Sequence, residues 1–308
     1  MAYAMSQGFN QAELLVFEKN FIRVAQQTDS KLLATPAVHH IDIKGISNMS
    51  TIGSVELTEV TNAGSNPDKQ YVEMSATNRK SVQRRFTKTF LFDDYDKCVN
   101  LITDPTSDLF LNLKEAKNRM ADKCIADAAI APVIIGKPSE AGTSVSAAND
   151  GVVTIAGTTA FNYTTVISPA ITQFENNYID CSNGVTLAIS ANEEESLRND
   201  DKYMNALYSS QNTVDRGKIT NASGFNVVTF AGSKNGGTTI ANPILQESEG
   251  TRTNLLLAPN AIAFAIEIGR LDCVKSATKV NSWEVTIDMW VKGVRREGKR
   301  VIALTSTI

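Results

Sequence analysis

The spacing of apolar residues changes along the chain, and each change predicts a different kind of element. Leu14, Phe17, Phe21 and Val24 recur at steps of three and four, which predicts an amphipathic helix ending before Asp29–Ser30. From Pro36 to Phe92 the period falls to two. Ile41 and Ile43 alternate with Asp42 and Lys44, Val55 and Leu57 with Glu56 and Thr58, and Val72, Met74 and Ala76 with polar neighbours. Between them Asn62-Ala63-Gly64-Ser65-Asn66-Pro67-Asp68 is a turn signal. This predicts a long, polar, two-stranded excursion. Such a ribbon buries too little to be stable alone, so it calls for a partner surface, as the N-terminal stripe does.

Ser81–Phe92 reads as another strand, with Val82, Arg84, Phe86, Lys88, Phe90 and Phe92 on one face. The period then returns to helical. Asp104-Pro105 supplies a cap and a first-turn proline, and Leu109, Leu113, Ala116, Met120, Cys124 and Ala128 form a stripe that stops before Pro132. A continuous helix here has about 27 residues and spans about 40 Å, a spine across the whole molecule. Gly136–Gly157 is rich in small and polar residues and reads as a loop or hairpin tip. Beyond it the texture is mixed. Ile167–Tyr178 predicts a helix and Val185–Ala191 a buried strand, and Asn192 predicts a helix N-cap with Glu193, Glu194 and Glu195 in the first turn. Phe225–Ala231 and Leu255–Ala258 predict short strands, and Ala261–Ile268 a helix opened by Pro259-Asn260. At the end, Trp283, Val285, Ile287, Met289 and Val291 line one face of a strand, Arg295–Arg300 form a turn, and Val301–Thr305 return as an antiparallel hairpin.

Composition narrows the class. In 308 residues, 42% apolar and 20% charged content fit an ordered globular protein rather than a disordered one. With 30 basic and 33 acidic residues the net charge of −3 argues against a general nucleic-acid coat, although local basic patches survive the average. The N-terminus lacks the basic and apolar regions of a signal peptide, and no apolar run is long enough to span a bilayer. Cys98, Cys124, Cys181 and Cys273 lie far apart with no CxxC pair, as expected of reduced thiols in a chain made in a cytoplasm.

Candidate chemistry is sparse. His39 and His40 are neighbours on a predicted strand, so they point to opposite faces and cannot share a metal or act as a base and its orienter. No phosphate-loop, HExxH or GxSxG motif occurs, and Gly232–Gly237 lacks dinucleotide-binding spacing. Asp93, Asp94 and Asp96, and Asp200-Asp201 after the glutamates, read as solvated or ion-paired surface more readily than as acid/base pairs. No catalytic residue, metal site or cofactor is expected. The remaining signal is basic: Arg79, Lys80, Arg84, Arg85 and Lys88 on the extended arm, and Arg295, Arg296, Lys299 and Arg300 at the last turn. Three readings stay open, namely a salt-bridged subunit interface, a solvated face and nucleic-acid contact. Glu56 and Glu59 are a complementary acidic surface for a neighbouring copy, and Leu14, Phe17 and Phe21 complete the candidate interface.

An N-terminal arm, a two-stranded excursion, a strand leading into a very long helix, an α/β part and terminal strands follow in that order. The order resembles the major capsid protein of tailed phages, with its α+β Hong Kong 97-like fold. The segment Phe90–Ala131 carries the resemblance most closely: an aromatic and acidic strand end, then Asp104, Pro105 and Ser107, then a helix with Ala116, Arg119 and Asp122. The resemblance implies an N-terminal arm over residues 1–35, an extended loop over 36–89, and a peripheral-domain strand and spine helix over 90–132. A mostly axial domain over 133–278 and C-terminal strands over 279–308 returning to the peripheral domain follow. It implies a non-enzymatic shell subunit that forms pentamers and hexamers around double-stranded DNA, without sequence-specific contact or a membrane. Such a subunit is assembled in the host bacterial cytoplasm and located in the virion. Its partners would be itself and separate scaffolding, portal and decoration proteins, the chain showing no long scaffolding segment ahead of the arm. The alternatives are an encapsulin-type nanocompartment shell and, from another class, a small cytosolic α/β enzyme using the carboxylates near Asp93 or Glu193.

Overall fold

The structure is a computed structural model that describes residues 27–43, 48–53, 76–93, 106–137, 140–157, 161–181, 184–200, 214–215, 218–219, 221–222, 225–232, 243–248 and 250–307. The predicted N-terminal helix, the Asn62–Asp68 turn, Glu56, Glu59, Cys98, Asp94, Asp96 and Asp201 lie outside these residues.

Four sheets organise the described chain. In the first, β1 (Val38–His40), β15 (Ile262–Lys275), β16 (Ser282–Arg295) and β4 (Gln83–Asp93) lie side by side in that order. The second joins β2 (Asn48–Ile52), β3 (Ala76–Lys80), β5 (Val133–Ile135) and β6 (Thr143–Val145). The third has seven strands: β11 (Asn221–Ala222), β12 (Phe225–Phe230), β8 (Thr186–Ser190), β14 (Thr251–Leu257), β17 (Val301–Thr307) and β7 (Val153–Gly157) in order, with β13 (Glu247–Ser248) beside β14. A short ribbon of β9 (Val214–Asp215) and β10 (Lys218–Ile219) is the fourth. The helices are α1 (Thr106–Ile130), α2 (Ser168–Asn176), preceded by a π-helical turn at Tyr163–Ile167, and α3 (Ala191–Arg198).

The predicted spine is α1, whose 25 residues span about 37 Å. It lies on the face of β16 that carries Val285, Ile287, Met289 and Val291. Leu113 clusters with Val285 and Ile287, and Cys124 and Ala128 with Met289 and Val291. Gly293 permits the close approach, because a Cβ there would stand 3.1 Å from the Ala128 Cβ. The seven-stranded sheet is covered on both faces. Ala188, Leu255, Leu257 and Ala303 face the α1 side, and Leu187, Ile189, Leu256, Ile302 and Leu304 face Phe174 of α2 and Leu197 of α3.

Three sequence expectations are corrected. Residues 261–268 are not helical; 262–268 belong to the 14-residue strand β15 (Ile262–Lys275), entered through Asn260 at φ 55°. There β15 lies between β1 and β16, and Ile262, Ala263, Phe264 and Ala265 are all buried. A strand buried on both faces loses its alternation, so its apolar run mimics a buried helix. The chain also does not end in a hairpin. β16 pairs with β15 and β4, whereas β17 pairs with β14 and β7 in the other sheet. The hairpin is instead β15–β16, joined through residues 276–281 with Asn281 at φ 54° beside its second strand. Finally, α3 is capped by Ser190, not Asn192: its hydroxyl accepts from the Asn192 amide and donates to the Glu193 carboxylate. The Ser190 amide donates to the Asn254 side chain at 3.3 Å, so this is a simple serine N-cap, and it takes precedence because the buried strand ends at that serine.

Candidate subunit interface

The basic arm residues fall on two strands with different surroundings. Arg79, near the end of β3, is buried and spends its charge inside its own chain. Its Nη1 and Nη2 donate to the two Asp150 oxygens at 2.7 and 2.6 Å. Arg295, at the end of β16 and fully buried, donates from Nε to the same carboxylate at 2.8 Å and from Nη1 to the carbonyls of Ala129 and Ala131 at 2.7 and 3.1 Å. Burial pulls the Arg295 guanidinium below its ordinary value and the Asp150 hydrogen bond opposes this. One carboxylate therefore ties the base of the extended loop, the end of α1, the end of β16 and the turn before β7 together. Gly298 completes the joint, since a Cβ there would overlap the Asp150 carbonyl. Arg79 and Arg295 thus differ from the expectation of solvent-facing or intersubunit charge. Lys80 donates to the Glu140 carbonyl, and Arg300 to Glu297 and to the Pro259 carbonyl.

Arg84, Arg85 and Lys88 stand exposed on β4. The register sets Arg84 beside Val291 and Lys88 beside Ile287, so both share the face that carries α1, as the alternation predicts. Arg85 points to the opposite face and makes a bidentate contact with Asp288, Nε to Oδ1 at 2.9 Å and Nη2 to Oδ2 at 2.5 Å. Hydrogen bonding to Arg85 holds the Asp288 carboxyl below the usual carboxylate range, against the opposing cost of burial. Arg84 and Lys88 make no ion pair among the described residues. On its outer side β4 has no strand partner among the described residues, and β15 has none beyond Phe264. Phe90, Leu91, Ile268, Leu271 and Val274 are all more than a third exposed along these two strands.

The catalytic alternatives find little here. No group of three His, Cys, Asp or Glu side chains able to hold a metal occurs among the described residues. Glu193, which the enzyme reading would use, is buried and held by Ser190, Ser306 at 2.6 Å and Arg252 at 2.8 Å, while Arg252 also reaches Glu247 at 2.7 Å. These partners spend it on joining α3 to the sheet. Asp200 accepts from the Tyr163 amide at 2.6 Å. Burial pushes the thiols of Cys124 and Cys181 up to about 11, so both are protonated and unreactive at neutral pH. Sequence reasoning missed Asp150 and Arg252. The turn signal around Asp150-Gly151 was legible, but its two arginines lie 71 and 145 residues away. For Glu193 the Ser190-x-x-Glu193 spacing was the available signal.

Comparison with known proteins agrees with this geometry. Solved structures with similar folds include the acid-stable capsid of Helicobacter pylori bacteriophage KHP30, with TM-score 0.65 and 10% identity over 93% of this chain and 94% of that one. The capsid of cyanophage P-SCSP1u has TM-score 0.60 and 12% identity over 92% and 90% of the two chains. A structure from Mycobacterium phage Che8 has TM-score 0.60 and 15% identity over 92% of this chain and 94% of that one. No curated protein matches the chain. These likenesses agree with the α+β Hong Kong 97-like fold. The phage capsid protein family matches residues 9–307 and favours neither the encapsulin nor the enzyme alternative. With nearly its whole length matched, the chain belongs to the phage capsid protein family, a structural component of the phage head and not an enzyme.

Proposed function

We propose that this capsid protein assembles as pentamers and hexamers into an icosahedral shell around double-stranded DNA, and that the strand β4 is one of its subunit interfaces. The carrying observation is an edge strand that leaves Arg84 and Lys88 exposed without an ion pair among the described residues, beside the exposed Phe90 and Leu91. An exposed edge of this length invites pairing unless it is charged or covered. Acidic residues of an adjacent copy, including Glu56 and Glu59, would meet Arg84 and Lys88, with Arg85 and Lys80 at the rim and Leu14, Phe17 and Phe21 on a neighbour's surface. Arg79 drops out of this interface because Asp150 occupies it. Many weak contacts repeated by symmetry then give a stable container.

In this reading the sheet of β1, β15, β16 and β4 with α1 is the peripheral domain and the seven-stranded sheet with α2 and α3 is the axial domain. β15 thus moves from the expected axial bounds 133–278 to the peripheral side, and β17 from the expected peripheral bounds 279–308 to the axial side. Residues 1–35 are the arm, and of 36–89 the part between β1 and β4 is the extended loop. Assembly takes place in the host cytoplasm, with scaffolding, portal and decoration proteins as further partners. Electron microscopy of the purified chain tests it. Closed shells, or rings of five and six, are expected, and a strictly monomeric protein at high concentration tells against it. Within that test, Arg84→Glu with Lys88→Glu should abolish shells while the subunit stays folded by circular dichroism. Shells at wild-type yield from this pair would remove β4 from the interface.

A further inference from the structure

A single buried carboxylate holds the first described residues to the long helix. Asp122 of α1 has no exposed surface, and its two oxygens accept four hydrogen bonds from one short stretch of chain 90 to 95 residues away. The Gln27 Nε2 and Ser30 Oγ donate at 2.5 Å each, and the backbone amides of Lys31 and Leu32 at 3.0 Å each. One turn earlier on α1, the Asn118 Nδ2 donates to the Thr28 carbonyl at 2.7 Å. The stretch is also folded on itself, with the Leu33 amide donating to Ser30 Oγ at 3.2 Å and Thr35 Oγ1 to the Leu32 carbonyl at 2.6 Å. Lys31 reaches across to the Thr229 carbonyl at 2.5 Å and lies 5.5 Å over the Phe230 ring.

One hydrogen bond would fix a point on the chain but leave it free to rotate. Four donors meeting both oxygens of one carboxylate fix the heading as well. We propose that Asp122 is a clamp that fixes the heading of the chain at Gln27, where the described residues begin, and that shell assembly depends on that heading. This rests on the capsid reading above. The physical link is effective concentration: a segment whose root is fixed presents Leu14, Phe17 and Phe21 to a small volume, and a loose root dilutes them over a larger one. Leu32 itself is buried in the cluster that holds Ala188, Leu255 and Leu257, so the protection of β8 is the control that separates loss of the clamp from loss of the fold.

The test uses the full chain. Asp122→Asn keeps the size but replaces one acceptor oxygen with a donor, so whichever way the amide faces, two of the four donors lose their acceptor. Hydrogen exchange should accelerate by about tenfold or more at the Lys31 or the Leu32 amide, whichever loses its acceptor, while β8 keeps its protection, and shell yield should fall several-fold under conditions in which the wild type assembles. Unchanged exchange at Lys31 and Leu32 would show that Asp122 does not hold the stretch. Opened amides with wild-type shells would show that the heading is not needed. If Asp122→Asn also opens β8, the Gln27→Ala, Ser30→Ala pair decides the matter by the same two readouts, since neither residue is in the core. A wild type that forms no shells would overturn the proposed unaided assembly alone, and exchange would then judge the clamp by itself.

Discussion

The seven-stranded sheet and the sheet carrying β15, β16 and β4 use similar apolar strands in opposite ways. In the former, β8, β14 and β17 are sandwiched: Leu187, Leu255, Leu256 and Leu304 are fully buried, Leu255 on the α1 side and the others on the α2 side. In the latter, α1 covers only part of one face. The buried row on β16 gives way on the flanking strands to Phe90, Ile268 and Leu271, each more than a third exposed. The first region is complete within one chain. The second leaves apolar residues on a surface open among the described residues, the kind of patch that an interaction site uses and that the proposed interface would cover. The two are joined where Asp150 grips Arg79 and Arg295.

The sharpest way to break this comparison is at the joint. Asp150→Ala leaves two buried guanidiniums without their carboxylate and should cost about 3–5 kcal/mol, read as a fall in denaturant midpoint at constant m-value. A similar loss is expected inside the sealed region, where Phe174→Ala removes a fully buried ring at about 3–5 kcal/mol, seen in calorimetry. The same kind of truncation in the open region should behave differently: Leu271→Ala changes subunit stability by less than about 0.5 kcal/mol yet lowers the yield of assembled particles in sedimentation. A loss above about 2 kcal/mol there, the scale of a core truncation, would mean that the flank is core after all.

The smallest effect concerns pH. The Asp288 carboxyl is held down by hydrogen bonding to Arg85 in the folded chain. The pair therefore contributes its stability above the unfolded carboxyl value of about 3.9 and loses it as pH falls through the lower folded value. In an acid titration followed by near-ultraviolet circular dichroism, the Arg85→Gln variant should lose tertiary structure at slightly higher pH than the wild type and match it at neutrality. Identical acid curves would show that the pair adds nothing.

Much of the site is readable on one strand. Period-two alternation alone puts Arg84, Phe86 and Lys88 on a common face, and β4 keeps that arrangement. The same reasoning does not separate Arg79 from Arg84, since both are arginines in a basic run. Only the fold delivers Asp150 to one and solvent to the other. Nor does it mark Asp122 as a clamp, because its donors Gln27, Ser30, Lys31 and Leu32 are ordinary arm residues until the chain is brought back against α1.

By itself the sequence determined the elements whose period is unambiguous. These are the 25-residue spine, the helix over 168–176 and the amphipathic strand at 282–295, because one-sided burial imprints its period on neighbouring residues. The strand at 186–190, buried on both faces, is legible instead as a short apolar run. Tertiary structure decided the rest. It made residues 262–268 a strand where a helix was expected, because burial of 262–265 on both faces erases the period there, and it sent β17 to a different sheet from β16. It also chose which charges are neutralised within the chain, because pairing across 71 or 145 residues depends on where the backbone is carried and leaves no local pattern.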